Sequence, residues 1–121
     1  LRTRIQGHMT GNAEGSTLRL SLGCLLSEQL GIQLRRVGSG NRYTFAQGEG
    51  SLSEWMDENA FLTWTVYSEP WVLQERLISE TSLPINLAEN KAHPFYSSLS
   101  ALRKEARHRA KELPIVSNPP R

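Results

Sequence analysis

The chain has 121 residues, of which 38% are hydrophobic and 21% charged, and its formal net charge is +2 at pH 7. This length and composition predict one folded domain and exclude a low-complexity, disordered chain. The single cysteine, Cys24, excludes an internal disulfide framework and a Cys-rich zinc site, and no apolar run approaches the roughly 20 residues of a membrane span. We therefore expect a cytoplasmic protein with no membrane contact.

Two helices are predicted at the start of the chain, on either side of a loop at Thr10–Gly15. Leu1–His8 has helical character, and Ser16 or Thr17 is placed to cap a second helix that runs to about Leu30. The predicted core stripe of the second helix consists of Leu18, Leu22, Leu25 and Leu26.

A β-hairpin is predicted next, with strands at Gln33–Val37 and Arg42–Phe45. The turn between them, Gly38-Ser39-Gly40-Asn41, lacks the Gly-x-x-x-x-Gly-Lys-Ser/Thr pattern of a phosphate-binding loop. Three arginines make this hairpin basic, which is typical either of a solvated sheet edge, the interpretation we favour, or of a phosphate-binding patch. They are Arg35, Arg36 and Arg42.

The clearest strand pattern lies at Phe61–Tyr67, where apolar and β-branched residues alternate on both faces. Such a pattern favours a central strand that is covered by helices. Upstream of it, Ser51–Glu54 matches a capping box and predicts the start of a short helix.

Ser68–Asn86 predicts a helix that Ser68 caps, with Pro70 in its first turn. The residue at the centre of its apolar side is Gln74, and Glu75 borders the same face. A buried amide costs about 1–3 kcal/mol unless its hydrogen bonds are satisfied, so Gln74 needs a partner, a cavity or a function.

A last helix is predicted over about Ser98–Leu113, followed by a tail at Pro114–Arg121 that we expect to be poorly ordered. Its inward stripe consists of Leu99, Leu102, Ala106, Ala110 and Leu113, and its basic residues are Arg103, Lys104, Arg107 and Lys111. The predicted fold class is α+β, with helices flanking a small β-sheet.

Few residues carry recognisable chemistry, because the common zinc-protease, serine-hydrolase and Cys/His metal patterns are absent. Arg4 and His8 lie four residues apart on one helical face, where they can bind a phosphate and move a proton or simply be solvated. Glu75 offers a lone carboxylate to Mg²⁺. Asn86 can cap the backbone or reach a ligand, and capping is the simpler interpretation.

The order of several short motifs resembles the GIY-YIG nuclease superfamily, and in particular a bacterial branch of GIY-YIG-like proteins. The motifs are Leu1-x-x-Arg4-Ile5-x-x-His8, Gly11-Asn12-Ala13-Glu14-Gly15-Ser16-Thr17-Leu18-Arg19, Glu69-Pro70-Trp71-Val72-Leu73, Leu77-Ile78 and Pro84-Ile85-Asn86. The resemblance covers about residues 1–113.

This resemblance implies a DNA endonuclease that hydrolyses a phosphodiester with Mg²⁺ or Mn²⁺. By position, Arg4 matches the arginine that steadies the phosphate, His8 matches the aromatic or histidine site one turn later, and Asn86 matches the closing asparagine. The metal-binding glutamate of the family falls on Gln74, and Glu75 lies one place further.

The family's two tyrosine motifs, which precede this region on a hairpin, are absent from the 121 residues. We therefore expect residues 1–113 to be one GIY-YIG-like domain that lacks its N-terminal hairpin. Three functions remain open: a nuclease that binds DNA through the last helix, a nucleic-acid-binding module of the same fold without cleavage, and a protein-interaction domain whose basic helix pairs with an acidic partner.

Overall fold

The computed structural model describes residues 2–117. The helices are α1 (Arg2–Thr10), α2 (Thr17–Leu25), α3 (Ser27–Leu30), α4 (Gly48–Asn59), α5 (Pro70–Glu80) and α6 (Tyr96–Lys111), and the strands are β1 (Arg35–Val37) and β2 (Arg42–Thr44). The two strands form an antiparallel sheet in which Arg36 pairs with Tyr43. A small α+β fold is thereby confirmed.

The core lies where α2, the hairpin region and α4 meet. Its buried members are Ala13, Leu20, Cys24, Ile32, Leu34, Phe45, Leu52 and Met56, with Leu102 and Ala106 of α6 packed against them. Full burial of one large aliphatic or aromatic side chain contributes about 1.5–3 kcal/mol. In α6, Leu99 and Ala110 are completely buried, so these two members of the predicted inward stripe are confirmed, whereas Leu113 lies beyond the end of the helix.

Helix α2 begins as predicted, because the Ser16 side chain accepts a hydrogen bond from the Arg19 backbone N–H. The predicted stripe is wrong in its details: Leu25 is exposed, and Leu20 and Cys24 are buried instead. The cause is Gly23, which has no side chain and lets the Phe45 ring pack directly against the helix. The buried face of α2 is therefore centred on that glycine.

The hairpin is confirmed, with Gly38 and Gly40 at φ angles of 67° and 93° in its turn. The chain after α6 returns to it: the Val116 N–H donates to the Arg36 carbonyl at 2.9 Å, and Val116 pairs with Val37. Arg35 and Arg36 donate to carbonyls of this returning chain, so they are not a solvated edge. Residues 114–117 thus contact the hairpin, residues 118–121 lie outside the described part, and a poorly ordered tail stays a prediction.

Helix α4 begins earlier than predicted, at Gly48, with Gln47 at its N-cap. The predicted capping box at Ser51–Glu54 is wrong, because these residues lie inside the helix, where N–H groups bond to preceding carbonyls. Leu52 and Met56 still point into the core.

The predicted central strand at Phe61–Tyr67 is wrong: this segment has no regular secondary structure. Phe61 is 99% exposed and Val66 95% exposed. A strand needs a partner for its backbone N–H and C=O groups, and no part of residues 2–117 pairs with this segment.

Helix α5 has Pro70 in its first turn as predicted, but Glu69 is its N-cap and not Ser68. The helix buries none of its residues, and Gln74 and Glu75 are both exposed. Gln74 therefore does not interrupt a buried face, and the expected desolvation of its amide is wrong. In the part of the chain that the structure describes, no helix combines the length and the hydropathy that crossing a bilayer requires.

Candidate functional site

His8 lies in the last turn of α1, where its Nδ1 is 2.6 Å from Ser16 Oγ. Ser16 Oγ also accepts the Arg19 backbone N–H at 3.1 Å. The hydroxyl hydrogen of Ser16 is therefore available to Nδ1, and a neutral His8 ring that accepts it carries its own hydrogen on Nε2. This arrangement orients the ring and leaves Nε2 as the nitrogen for any further partner.

A buried arginine fixes the end of α1 that carries His8. The Arg19 side chain is completely buried, and its Nη1 donates to the His8 carbonyl at 3.0 Å and to the Met9 carbonyl at 3.1 Å. Its Nε and Nη2 donate to Glu49 Oε1 at 3.1 and 3.0 Å. One guanidinium thus connects α1 to α4.

The second carboxylate oxygen of Glu49 is equally occupied. Glu49 Oε2 accepts the backbone N–H of Ala13 at 2.9 Å, the backbone N–H of Phe45 at 2.8 Å and the Thr44 hydroxyl at 2.9 Å. Sequence reasoning missed this ion pair, because charged residues are seldom buried and the two partners are 30 positions apart. Its only sequence signal is Arg19 beside Leu20 on the core face of α2.

Arg4 lies one turn before His8 on α1, as its spacing predicts, and its side chain is exposed. Within residues 2–117 it forms no ion pair, and acidic residues are absent from the first turn of its helix. Its guanidinium is therefore available to an anion in solvent.

Asn86 lies in the loop between α5 and α6, where its Nδ2 donates to the Ala88 carbonyl at 3.0 Å. Its own carbonyl accepts Asn90 Nδ2 at 2.7 Å, so local capping, the simpler interpretation, accounts for its polar groups. Asn86 also lines a cavity of about 270 Å³ together with Thr17 and Leu18 from the first turn of α2. Since Ser16 contacts His8 at the same end of α2, both His8 and Asn86 lie near that helix end.

The basic residues of α6 lie in different surroundings. Arg103 lines the Asn86 cavity, and its buried Nε has no hydrogen-bond partner among the described residues. Burial, and secondly the neighbouring charge of Arg107, lower the pKa of Arg103 from its ordinary value. The Arg107 guanidinium carbon lies 5.9 Å from the centre of the Tyr43 ring, and Lys104 and Lys111 are exposed.

Gln74 and Glu75 are exposed on α5. Within residues 2–117, no hydrogen bond or ion pair connects either of them to Arg4, His8 or Asn86. No group of three or more His, Cys, Asp or Glu side chains in that range is arranged to hold a metal ion. The unpaired carboxylate of Glu75 nevertheless has the chemistry of a Mg²⁺ site that waters and phosphate oxygens complete, and the Gln74 amide oxygen is a weaker donor.

Two other reactive side chains have structural roles. The His93 ring accepts the Phe95 N–H on Nδ1 at 3.0 Å and lies 2.9 Å from Ser82 Oγ through Nε2, so both of its nitrogens are occupied. Burial raises the pKa of Cys24 to about 11, which keeps its thiol protonated and unreactive at neutral pH.

Comparison with known proteins gives one result at the level of families. Residues 1–105 match the family model described as the GIY-YIG catalytic domain. Neither the curated proteins nor the solved structures give a significant match. Because the family match covers most of the 121 residues, the chain belongs to the GIY-YIG catalytic domain family.

Proposed function

We propose that the chain is the larger part of a cytoplasmic DNA endonuclease domain that hydrolyses a phosphodiester with Mg²⁺ or Mn²⁺. The observation that carries this proposal is the family match over residues 1–105. The position of His8 and Asn86 at one end of α2 supports it further, because the family resemblance assigns both residues to the site.

In this proposal α1 presents the residues that act on the phosphate. Arg4, which is exposed and without an ion pair in the described range, binds the phosphate and stabilises the negative charge that develops during hydrolysis. His8, whose Nδ1 is held by Ser16, exchanges a proton through Nε2. Asn86 lies near the same end of α2, in the wall of the adjoining cavity.

The residues that would hold the metal are Glu75 and Gln74. A divalent ion bound there supplies Lewis-acid stabilisation of the phosphoryl oxygens. The neutral amide of Gln74 lacks the charge attraction that makes a carboxylate a good Mg²⁺ ligand. Glu75 is rotated by about 100° along the helix from Gln74, so the carboxylate side chain must reach around α5 to the same position.

We further propose that residues 1–113 form one domain with a hairpin that precedes Leu1 and carries the tyrosine motifs of the family. The alternating apolar residues at 61–67 support this extension, because they have the pattern of a strand and lie exposed. Trp71 and Leu77 of α5 are exposed as well. A hairpin that pairs with residues 61–67 would satisfy the backbone of this segment and cover its side chains.

One observation favours a second function, a nucleic-acid-binding module of the same fold that does not cleave. By the resemblance, Gln74 falls at the position of the family's metal-binding glutamate. In that case the basic residues of α6 bind DNA and no hydrolysis follows. The third possibility, docking of an acidic protein on α6, rests on the charge of the helix alone.

The endonuclease proposal predicts that Arg4→Ala abolishes nicking. In the protein extended upstream through the hairpin and supplied with Mn²⁺, we expect a loss of about 10²–10³-fold, since the phosphate loses a charged donor. A plasmid-nicking assay measures this rate. Arg2→Ala is the matched control, because Arg2 is exposed on the same helix and faces away from Arg4.

Equal nicking by Arg4→Ala and by the Arg2→Ala control would contradict the role of Arg4. The same assay separates the two leading functions. If the extended protein does not nick DNA but Gln74→Glu does, the non-cleaving module is supported, and Gln74 is the reason.

A further inference from the structure

The cavity that Asn86 lines is cationic. Its wall consists of Thr17, Leu18, Ser21, Ile85, Asn86, Leu87, Ala88 and Arg103, of which only Arg103 carries a charge. No ion pair within residues 2–117 involves Arg103. A half-buried guanidinium with no acidic neighbour in the wall can bind an anion through charge-assisted hydrogen bonds.

Three other cations of α6 have partners within residues 2–117, whereas Lys104 and Lys111 are exposed to solvent. Arg109 Nε lies 3.1 Å from Glu105 Oε1, and His108 Nε2 lies 3.5 Å from Glu112 Oε1. Arg107 lies over the Tyr43 ring. Arg103 by contrast has a buried Nε without an acceptor, and its lowered pKa has burial as the first cause. The positive charge of Arg103 on the cavity wall therefore has no acidic partner within residues 2–117.

The size and the donors of the cavity select the anion. Its volume of about 270 Å³ exceeds the roughly 30 Å³ of one water several times, so a tetrahedral oxyanion with bound waters fits. The planar guanidinium offers parallel donors that match phosphate oxygens, and the Asn86 amide lies in the same wall.

We propose that the cavity between α2, α6 and residues 85–88 binds a phosphate group through Arg103, and that in the complex with DNA this group belongs to the DNA backbone. The choice of DNA rests on the proposed function, whereas the phosphate chemistry rests on the cavity alone. This contact is separate from Arg4, which lies on α1. It holds the nucleic acid at the end of α2 near which His8 and Asn86 lie.

The first test titrates inorganic phosphate into the 121-residue chain and follows the Arg103 Nε–H signal by NMR. We expect a saturable shift of this signal and of the backbone N–H signals of residues 85–88, and the shift of residues 85–88 should be absent in Arg103→Gln. Arg109→Gln is the matched control, because Arg109 is exposed on the same helix and does not line this cavity. Far-UV circular dichroism checks that each variant is folded.

A second pair of variants leaves Arg103 in place. Ala88 is exposed on the cavity wall, so Ala88→Glu supplies a carboxylate beside Arg103, and Ala88→Gln adds the same bulk without charge. Phosphate affinity should fall about 10-fold or more in Ala88→Glu and change little in Ala88→Gln. An Arg103 signal that does not respond to phosphate, or responds equally in both variants, overturns the site.

The DNA part is tested by binding of a short duplex across a range of salt concentrations. Arg103→Gln should lower the slope of log affinity against log salt by about 0.9, the value for one phosphate contact. If the slope is unchanged while phosphate still binds, the bound phosphate group does not belong to DNA, and the cavity is a site for free phosphate. Neither binding measurement requires cleavage. If phosphate and DNA both bind but DNA is not nicked, the endonuclease proposal is contradicted and the phosphate site is not.

Discussion

At the scale of single residues, Arg19 and Glu49 decide how the site is held. Arg19 makes five of its hydrogen bonds to Glu49 and to the end of α1, and both carboxylate oxygens of Glu49 are occupied. A buried ion pair of this kind contributes little net stability compared with apolar residues, but removal of one partner leaves a buried charge. The pair therefore serves mainly to place α1 against α4.

We predict that Arg19→Met lowers the free energy of unfolding by about 3–5 kcal/mol, because it leaves Glu49 charged and unpaired in the interior. Glu49→Gln should lower the free energy of unfolding less in the Arg19→Met variant than in the parent protein. In that variant the neutral amide does not face a buried guanidinium. Urea unfolding measures both. The exposed pair Arg109–Glu105 is the control, and its disruption should cost at most about 1 kcal/mol. A cost below that value for Arg19→Met would show that the pair is not needed.

At the scale of elements, α2 connects the core and the site. Its first turn carries Ser16 at the N-cap and lines the Asn86 cavity, and its middle holds Gly23 against the Phe45 ring. The close approach at Gly23 sets the distance between α2 and the segment that follows the hairpin. Any side chain at this position would have to displace the ring.

We predict that Gly23→Ala destabilises the protein by about 1–3 kcal/mol, because the new methyl group overlaps the Phe45 ring. Gly50→Ala is the matched control, since Gly50 also lies inside a helix and a methyl there meets nothing within 4 Å. The control should gain about 0.5–1 kcal/mol from helix propensity. Thermal or urea unfolding of the two variants compares them directly, and a stabilised Gly23→Ala would contradict the packing described.

The elements also show what could be predicted from the sequence. Local signals suffice for the hairpin, where Gly38 and Gly40 allow the turn, and for α6, where Leu99 and Ala110 recur on one face. The alternation at 61–67 has the pattern of a strand, but pairing depends on a second segment, which local pattern does not supply.

The candidate site was predictable only in part. The spacing of Arg4 and His8 follows from the sequence. Asn86 lies in a loop and does not end the predicted Ser68–Asn86 helix, because α5 already ends at Glu80. The contact between His8 and Ser16 depends on the path of the loop between them, and the burial of Arg19 depends on Glu49 arriving from α4. Hydrophobic periodicity predicts neither the His8–Ser16 contact nor the burial of Arg19, because both depend on the assembled fold.

At the scale of the whole molecule, the segment from residue 61 to α5 differs from the rest. Phe61, Trp64, Val66 and Trp71 are all at least half exposed, whereas the rest of the chain has a packed core. An exposed apolar surface of this extent is typical of an interaction site. Under the proposed function, the hairpin that carries the tyrosine motifs occupies that site.

We predict different effects of the double variant Phe61→Ser, Val66→Ser on stability in two contexts. In the 121-residue chain both side chains are exposed, so the variant should leave the stability unchanged and reduce self-association, as measured by light scattering. In the protein extended upstream it should cost about 1.5–3 kcal/mol for each side chain that the hairpin buries. Thr65→Ser serves as a control in both. Equal stability of the variant and the parent in the extended protein would show that the hairpin does not cover this segment.

The Arg19–Glu49 network also bears on how the molecule reaches its native state. The carboxylate of Glu49 joins Ala13, Arg19 and the residues after β2, which come from distant parts of the sequence. Contacts of long sequence separation form only after the intervening loops have closed. The end of α1 that carries His8 therefore becomes ordered together with α4 and the hairpin, and its amide protons should exchange in the same cooperative unit as theirs.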